Sequence, residues 1–113
     1  MEQRKLKRRH LIYYLRVYDT ATNLLLGHVV DVTTEGLMLI SEEQIIAGTI
    51  YNLKMVLPED ILQKPEIMFQ VKSLWCKKDI NPDFYATGLN IMKIDENDLD
   101  IIDTLIRKFG FND

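Results

Sequence analysis

One segment of the sequence, residues 28–40, constrains the fold more than any other. It reads His-Val-Val-Asp-Val-Thr-Thr-Glu-Gly-Leu-Met-Leu-Ile, two apolar runs that are interrupted by Asp31, Thr33 and Gly36. Asp and Thr side chains bond nearby backbone N–H groups, and glycine accepts the positive φ that a tight reversal often requires. We therefore predict two strands joined by a polar turn, with Gly36 at positive φ.

A cluster of basic residues lies upstream of this turn. Residues 4–9 read Arg-Lys-Leu-Lys-Arg-Arg, and residues 1–9 carry five basic groups and one acid. The net charge of the chain is −3, so residues 10–113 sum to about −7. A general nucleic-acid binder is not usually so acidic, and we expect no nucleic-acid partner. A polar turn near the basic cluster could instead enclose a ligand that carries phosphate.

The two segments together resemble the motifs of the PilZ domain family. The family pattern is Arg-x-x-x-Arg at the N-terminal edge, followed by Asp/Asn-x-Ser-x-x-Gly between two strands. Here the second motif begins at Asp31 and ends at Gly36, with Thr33 in the serine position. The first motif begins at Arg4 and ends at Arg8 in its strict form, although Lys5 and Arg9 offer an equally spaced register.

The resemblance extends over nearly the whole chain and implies its fold. The family is a small six-stranded antiparallel β-barrel, a split barrel, followed by a C-terminal α-helix, so the fold class is mainly β. We expect one domain over residues 1–113. Its parts are a basic ligand-binding segment at 1–10, the barrel at 11–93 and the helix at 95–110.

The resemblance also implies a ligand, the bacterial second messenger cyclic di-GMP, and no cofactor. Arginine suits both parts of this ligand, because its planar fork bonds phosphate oxygens and its flat cation stacks on guanine. Lysine can bond phosphate oxygens but has no flat cation to stack on guanine. The resemblance therefore assigns phosphate and guanine contacts to Arg4 and Arg8, with Arg9 as the alternative in the other register.

The turn is assigned the rest of the ligand site by the same resemblance. Asp31 would accept hydrogen bonds from the guanine N–H edge, and Thr33 would bond base or phosphate. Gly36 would hold the backbone turn without contacting the ligand. We expect no output domain beside this one, so a signal would pass to a protein partner that the sequence does not identify.

Alternation of apolar and polar residues predicts the strands. Gly27 marks a predicted bulge, and Gly88 marks a position where another group approaches the backbone closely. In the fifth strand, alternation places Phe69, Val71 and Trp75 on one face, and Asn-Pro at 81–82 predicts a turn over 77–83. The predicted strands are 11–18, 24–32, 37–40, 51–57, 67–75 and 84–91.

The end of the chain changes to a helical period. Asp95 is a plausible N-cap, and Gly110 follows two basic residues as a C-terminal stop. A stripe this regular usually serves its own core, so we expect it to close one end of the barrel and the protein to be a monomer or weak dimer. The stripe consists of Leu99, Ile102, Leu105, Ile106 and Phe109.

Other classes of protein are not favoured by the sequence. Cys76 is the single cysteine and has no internal disulfide partner, and no apolar stretch reaches the roughly 18 residues of a membrane span. The N-terminus also lacks a secretory pattern, so we expect a cytoplasmic protein. His10 and His28 lack the supporting ligands of a metal site, and no residue has the context of a catalytic nucleophile. We expect neither a metal nor an enzyme.

Three hypotheses for function follow. The first is a cyclic di-GMP receptor that relays a signal to a partner. The second is a PilZ-like interaction module without nucleotide binding, which the substitution at Thr33 and the second arginine register would support. The third is a β-barrel that binds single-stranded nucleic acid through basic and aromatic residues, and it fits the charge of the chain least well.

Overall fold

In the part of the chain that the structure describes, six antiparallel strands close into a barrel and one helix follows. The structure is a computed structural model that describes residues 10–58 and 64–109, with side chains at 15–58 and 64–108. The order of strands around the barrel is β1-β2-β3-β6-β5-β4. The predicted fold class is confirmed. The elements are β1 His10–Asp19, β2 Leu24–Val32, β3 Gly36–Ser41, β4 Ile50–Val56, β5 Glu66–Lys78, β6 Tyr85–Lys93 and α1 Glu96–Phe109.

The polar connection between β1 and β2 folds as a tight turn. The backbone N–H of Asn23 donates to the carbonyl oxygen of Asp19 at 2.7 Å. The Asp19 carboxylate accepts the N–H of Ala21 at 3.0 Å. Asn23 has a φ of 64°, a left-handed conformation that asparagine tolerates better than most residues. The side chains of this connection therefore make the reversal that starts β2.

Alternating side chains of the strands fill the barrel, and the helix completes its core. Val17, Val29 and Leu53 are fully buried inside the barrel, and the helix adds Ile102 and Leu105 to the same cluster. The expectation that the helix packs on its own barrel is confirmed for these two residues. The side chain of Phe109, which we predicted on the same stripe, lies outside the described residues. Among the described residues, no helix has the length and apolar character to cross a bilayer.

The face predicted for Trp75 is wrong. Trp75 is 40% exposed, whereas Phe69 and Val71 are buried and Ser73 takes the next inward position. The cause is a register shift between Ser73 and Trp75, where β5 has one residue more than β6. An extra residue in one strand moves every following side chain to the opposite face.

The shifted Trp75 covers a glycine on the neighbouring strand. Trp75 pairs with Gly88, and a Cβ atom on Gly88 would lie 2.5 Å from the indole ring. The predicted close approach at Gly88 is therefore confirmed. Pairing continues to Lys78 opposite Tyr85, so β5 runs into the segment that was predicted as a turn. A register shift in the β1–β2 pairing lies between Leu25 and Gly27, which is consistent with the predicted bulge.

Candidate ligand-binding site

The connection between β2 and β3 is organised by the hydroxyl of Thr33. Its Oγ1 accepts the backbone N–H groups of Glu35 and Gly36, both at 3.1 Å. The same hydroxyl donates to the carbonyl oxygen of Gly36 at 3.3 Å. A hydroxyl offers one donor and two acceptor sites, so these three bonds use all of them. A bond from Thr33 to base or phosphate would have to replace one of the three.

Gly36 is needed in this turn, but the predicted reason is wrong. The φ of Gly36 does not lie in the left-handed region. Among the described residues, the glycine with a left-handed φ is Gly48, at 85°. The reason is space. Gly36 pairs with Asn90 on β6, and a Cβ atom on Gly36 would lie 2.4 Å from the carbonyl oxygen of Leu89. Any larger side chain must push β3 and β6 apart at Gly36, where the turn ends and β3 begins.

Gly36→Val is expected to lower the free energy of unfolding by about 1 to 3 kcal/mol, the usual cost of overpacking. The obstacle is a backbone oxygen of a paired strand, which cannot rotate away as a side chain could. Urea denaturation followed by circular dichroism measures the change. The matched control is Gly48→Asn, because Gly48 has no heavy atom within 4 Å of a built Cβ and asparagine tolerates its φ. Equal midpoints for Gly36→Val and wild type would contradict the close approach.

A second irregularity positions Asp31. The register of β2 against β3 shifts between Val29 and Asp31, so β2 has one more residue than β3 there. Asp31 and Val32 are both buried, at 9% and 1% exposure, although successive residues of a strand face opposite sides. The Asp31 residue is therefore largely enclosed, beside both the bulge and the turn.

The start of the barrel lies directly opposite Asp31. His10, the first residue of β1, pairs with Asp31 across the β1–β2 ladder. Paired residues of antiparallel strands have Cα atoms roughly 4.5 to 5.5 Å apart. The basic segment, residues 4–9, directly precedes His10 in the sequence. Arg4, Arg8 and Arg9 themselves lie outside the described residues.

Two polar residues next to the turn were missed by the sequence analysis. Asn90 is half-buried and pairs with Gly36, and on its other side it pairs with the exposed Lys72 of β5. The backbone N–H of Ile91 also donates to the carbonyl oxygen of Glu35 at 2.8 Å, which fixes the turn to β6. An amide and an ammonium group therefore lie one and two strands away from Gly36. Only the strand order brings them there, and no local pattern marks them.

Metal binding has no support in the described residues. Among residues 10–58 and 64–109, no three His, Cys, Asp or Glu side chains come together in a way that could hold an ion. The chemistry that this region offers is a buried carboxyl group, backbone amides and an amide side chain, with basic groups nearby in the sequence. These are hydrogen-bonding and charge-pairing groups.

Comparison with known proteins gives a clear result for structure and none for sequence. No protein-family model matches the chain, and no curated protein matches it. Among solved structures, the chain is similar to the Bacillus subtilis inhibitor of motility MotI/DgrA, with a TM-score of 0.73 and 13% identity over 96% of this chain and 51% of that one.

Two Escherichia coli structures are also similar. The PilZ domain of YcgR with c-di-GMP has a TM-score of 0.66 and 12% identity, covering 95% of this chain and 92% of that domain. YcgR in complex with c-di-GMP has a TM-score of 0.65 and 14% identity, covering 93% of this chain and 45% of that one. The chain thus spans about half the length of the MotI/DgrA and YcgR chains and nearly all of the isolated domain. At these identities the likeness concerns the fold, and the chain has the fold of a PilZ-like domain.

Proposed function

We propose that this protein is a bacterial cyclic di-GMP receptor without enzymatic activity, which binds the messenger at the Asp31–Gly36 turn and relays the signal to a partner protein. The observation that carries the proposal is the pairing of His10 with Asp31 in a PilZ-like barrel. His10 directly follows the arginine-rich segment in the sequence, and Asp31 is the first residue of the second motif. Two structures of the same fold contain c-di-GMP.

The arginines supply the main binding energy in this proposal. Arg4 and Arg8, or Arg9 in the alternative register, contact phosphate oxygens and stack on guanine. Charge-assisted hydrogen bonds are about twice as strong as neutral ones, and a planar guanidinium provides both interactions at once. The ligand requires no metal and no cofactor, and the expected cytoplasmic location belongs to the same proposal.

The turn supplies recognition of the base. Asp31 accepts from the guanine N–H edge, and its low exposure strengthens this bond because little water competes with the ligand. Thr33 contributes mainly by holding the turn through its three internal bonds, and its hydroxyl reaches the ligand only by exchanging one of them. Gly36 keeps β3 close to β6. We add Asn90 as a residue that can bond the ligand next to Gly36.

Isothermal titration calorimetry of the whole chain tests the proposal. We expect saturable binding of one or two molecules of cyclic di-GMP per chain. We expect no heat above that of dilution with GMP, cyclic GMP, cyclic di-AMP or an unrelated single-stranded oligonucleotide. Asp31→Ala is expected to weaken binding, whereas Glu35→Ala, which removes an exposed carboxylate from the same turn, leaves it unchanged. Thermal melts control for folding. A chain that gives no heat with cyclic di-GMP, or equal heat with every nucleotide, is not the receptor proposed.

A second candidate, a PilZ-like interaction module that does not bind nucleotide, is favoured by one observation. The Thr33 hydroxyl has its full complement of bonds inside the turn, so the turn is stable without a ligand. In that case the barrel would present a fixed surface to its partner. The titration separates the two candidates directly.

A further inference from the structure

A groove lies at the end of the barrel that is opposite to the Asp31–Gly36 turn. Its volume is about 530 Å³. The groove begins at Leu24, the first residue of β2, whereas Asp31 lies near the other end of that strand. Asp31 lies seven positions after Leu24, a distance of about 23 Å at about 3.3 Å per residue. The lining residues are Asp19, Thr22, Leu24, Leu25, Leu26, Gly27, His28, Ile40, Ser41, Glu42, Glu43, Gln44, Ile45, Tyr51 and Phe84.

The apolar part of this groove is unusually open to solvent. Leu24 and Leu25 are 67% and 47% exposed, although they belong to a strand of the barrel. Ile46 and Ile50 flank the lining residues Ile45 and Tyr51 in the chain and are 76% and 54% exposed. Single exposed apolar residues are common, but two exposed leucines in the lining of one groove, with exposed isoleucines next to other lining residues in the chain, are typical of an interaction site.

The charged part of the groove has one sign. Its lining contains the carboxylates of Asp19, Glu42 and Glu43, and no lysine or arginine among the described residues. Burial, and then the negative charge of Asp19, raise the pKa of the Tyr51 hydroxyl above its ordinary value. The groove is therefore apolar inside, negative at its edge and able to disfavour further negative charge.

We propose that this groove docks a segment of a partner protein in which lysine or arginine side chains alternate with leucine-like aliphatic ones. Aliphatic side chains would cover Leu24 and Leu25, and the cationic groups would pair with Glu42 and Glu43. Because the charged lining residues are all acidic, the groove attracts a cationic segment and steers its approach. This goes beyond the proposed function, because it gives the chemistry of the partner and the surface that receives it.

The same charges argue against other occupants. Nucleic acid and anionic lipid surfaces are negative and are repelled by Asp19, Glu42 and Glu43. A symmetric dimer through this face would place the same patch on both subunits, and so bring two sets of carboxylates together. A basic, aliphatic protein segment satisfies both the apolar floor and the acidic edge.

The probe for the test is a synthetic ten-residue peptide of alternating lysine and leucine with a fluorescent label, titrated with the whole chain and no nucleotide. Fluorescence anisotropy measures binding, and NMR shifts of the Leu24 and Leu25 methyl groups locate it. We expect saturable binding with these methyl shifts. Peptides with glutamate in place of lysine, or serine in place of leucine, are expected to bind at least tenfold more weakly.

Matched variants separate the groove from general attraction to an acidic protein. Glu42→Lys/Glu43→Lys reverses two exposed charges at the groove and is expected to weaken peptide binding at least tenfold. Asp100→Lys/Asp103→Lys makes the same change in net charge on the exposed helix surface, outside the groove, and is expected to leave binding unchanged. Likewise Leu24→Asp is expected to weaken binding, and Met68→Asp, another exposed apolar position, is not.

Equal losses for the two double variants, or tight binding of the lysine–serine peptide, would overturn the proposal. So would sedimentation that detects a dimer which Glu42→Lys/Glu43→Lys dissociates, because the occupant would then be a second copy. Thermal melts confirm that every variant folds. The titrations contain no cyclic di-GMP, so their failure leaves the receptor proposal standing, and a failed nucleotide titration leaves this one standing.

Discussion

Leu105→Ala is expected to lower the free energy of unfolding by about 3 kcal/mol, within the range of roughly 2 to 5 kcal/mol for buried leucines. Leu105 is 0% exposed and belongs to the same cluster as the barrel residues Val17 and Leu53. Truncation removes apolar contacts and leaves a cavity that strands on the far side cannot fill, since they are fixed in a closed barrel. The helix would lose much of its attachment to the barrel.

Urea denaturation monitored by circular dichroism measures this loss. The control is Leu24→Ala, which removes the same atoms from a side chain that is 67% exposed. We expect its unfolding free energy to stay within about 0.5 kcal/mol of wild type, as at most surface positions. Equal changes for the two leucines would mean that the helix contributes nothing to the barrel core. That result would instead favour a helix stripe that contacts a second subunit.

The strands and the helix could be predicted because their signals are local. Alternation of apolar residues identifies a strand without knowledge of its partners, and β2 lies where the sequence placed it, at Leu24–Val32. The face of Trp75 could not be predicted in this way. It depends on an extra residue in β5 relative to β6, and nothing in the alternation of β5 alone records how the neighbouring strand is paired.

Gly36 illustrates a correct position predicted for the wrong physical reason. Turn chemistry drew attention to the glycine, and positive φ is the usual reason for glycine in a reversal. The structure instead requires space for the carbonyl oxygen of Leu89, which belongs to β6. Close approach of strands that are distant in sequence is a property of topology, and turn propensity carries no information about it.

The residues of the candidate site likewise fall into those that a local motif identifies and those that only the strand order brings together. Asp31, Thr33 and Gly36 lie close together in the sequence, so a motif could identify them together. Asn90 and Lys72 lie one and two strands from Gly36 only because β6 and β5 follow β3 around the barrel. The groove at the other end is lined from several strands and loops, and for that reason no sequence motif indicates it.

Arg8→Ala is expected to weaken cyclic di-GMP binding about a hundredfold or more while leaving the fold intact. Arg8 completes the strict Arg-x-x-x-Arg match, and His10, two residues later, pairs with Asp31. A lost charge-assisted bond to phosphate costs roughly 1.5 to 3 kcal/mol, and lost stacking on guanine about 1 kcal/mol more. Each 1.4 kcal/mol is about a tenfold change in affinity, which gives the expected factor.

Calorimetry on five single variants, four to alanine and Arg8→Lys, decides which arginines carry the binding. If Arg4 and Arg8 form the true pair, Arg4→Ala is also severe and Arg9→Ala is mild; in the register of Lys5 and Arg9, Arg9→Ala is the severe change. Lys7→Ala is the matched control, because it removes one positive charge from the same segment and Lys7 belongs to neither register. An equal loss for Lys7→Ala and Arg8→Ala would mean that the segment acts only through its total charge. A guanidinium forms a forked pair with phosphate and also stacks on a base, whereas an ammonium group supplies only charge. If the guanidinium geometry matters, Arg8→Lys binds nearly as weakly as Arg8→Ala. If charge alone matters, Arg8→Lys binds nearly as tightly as wild type.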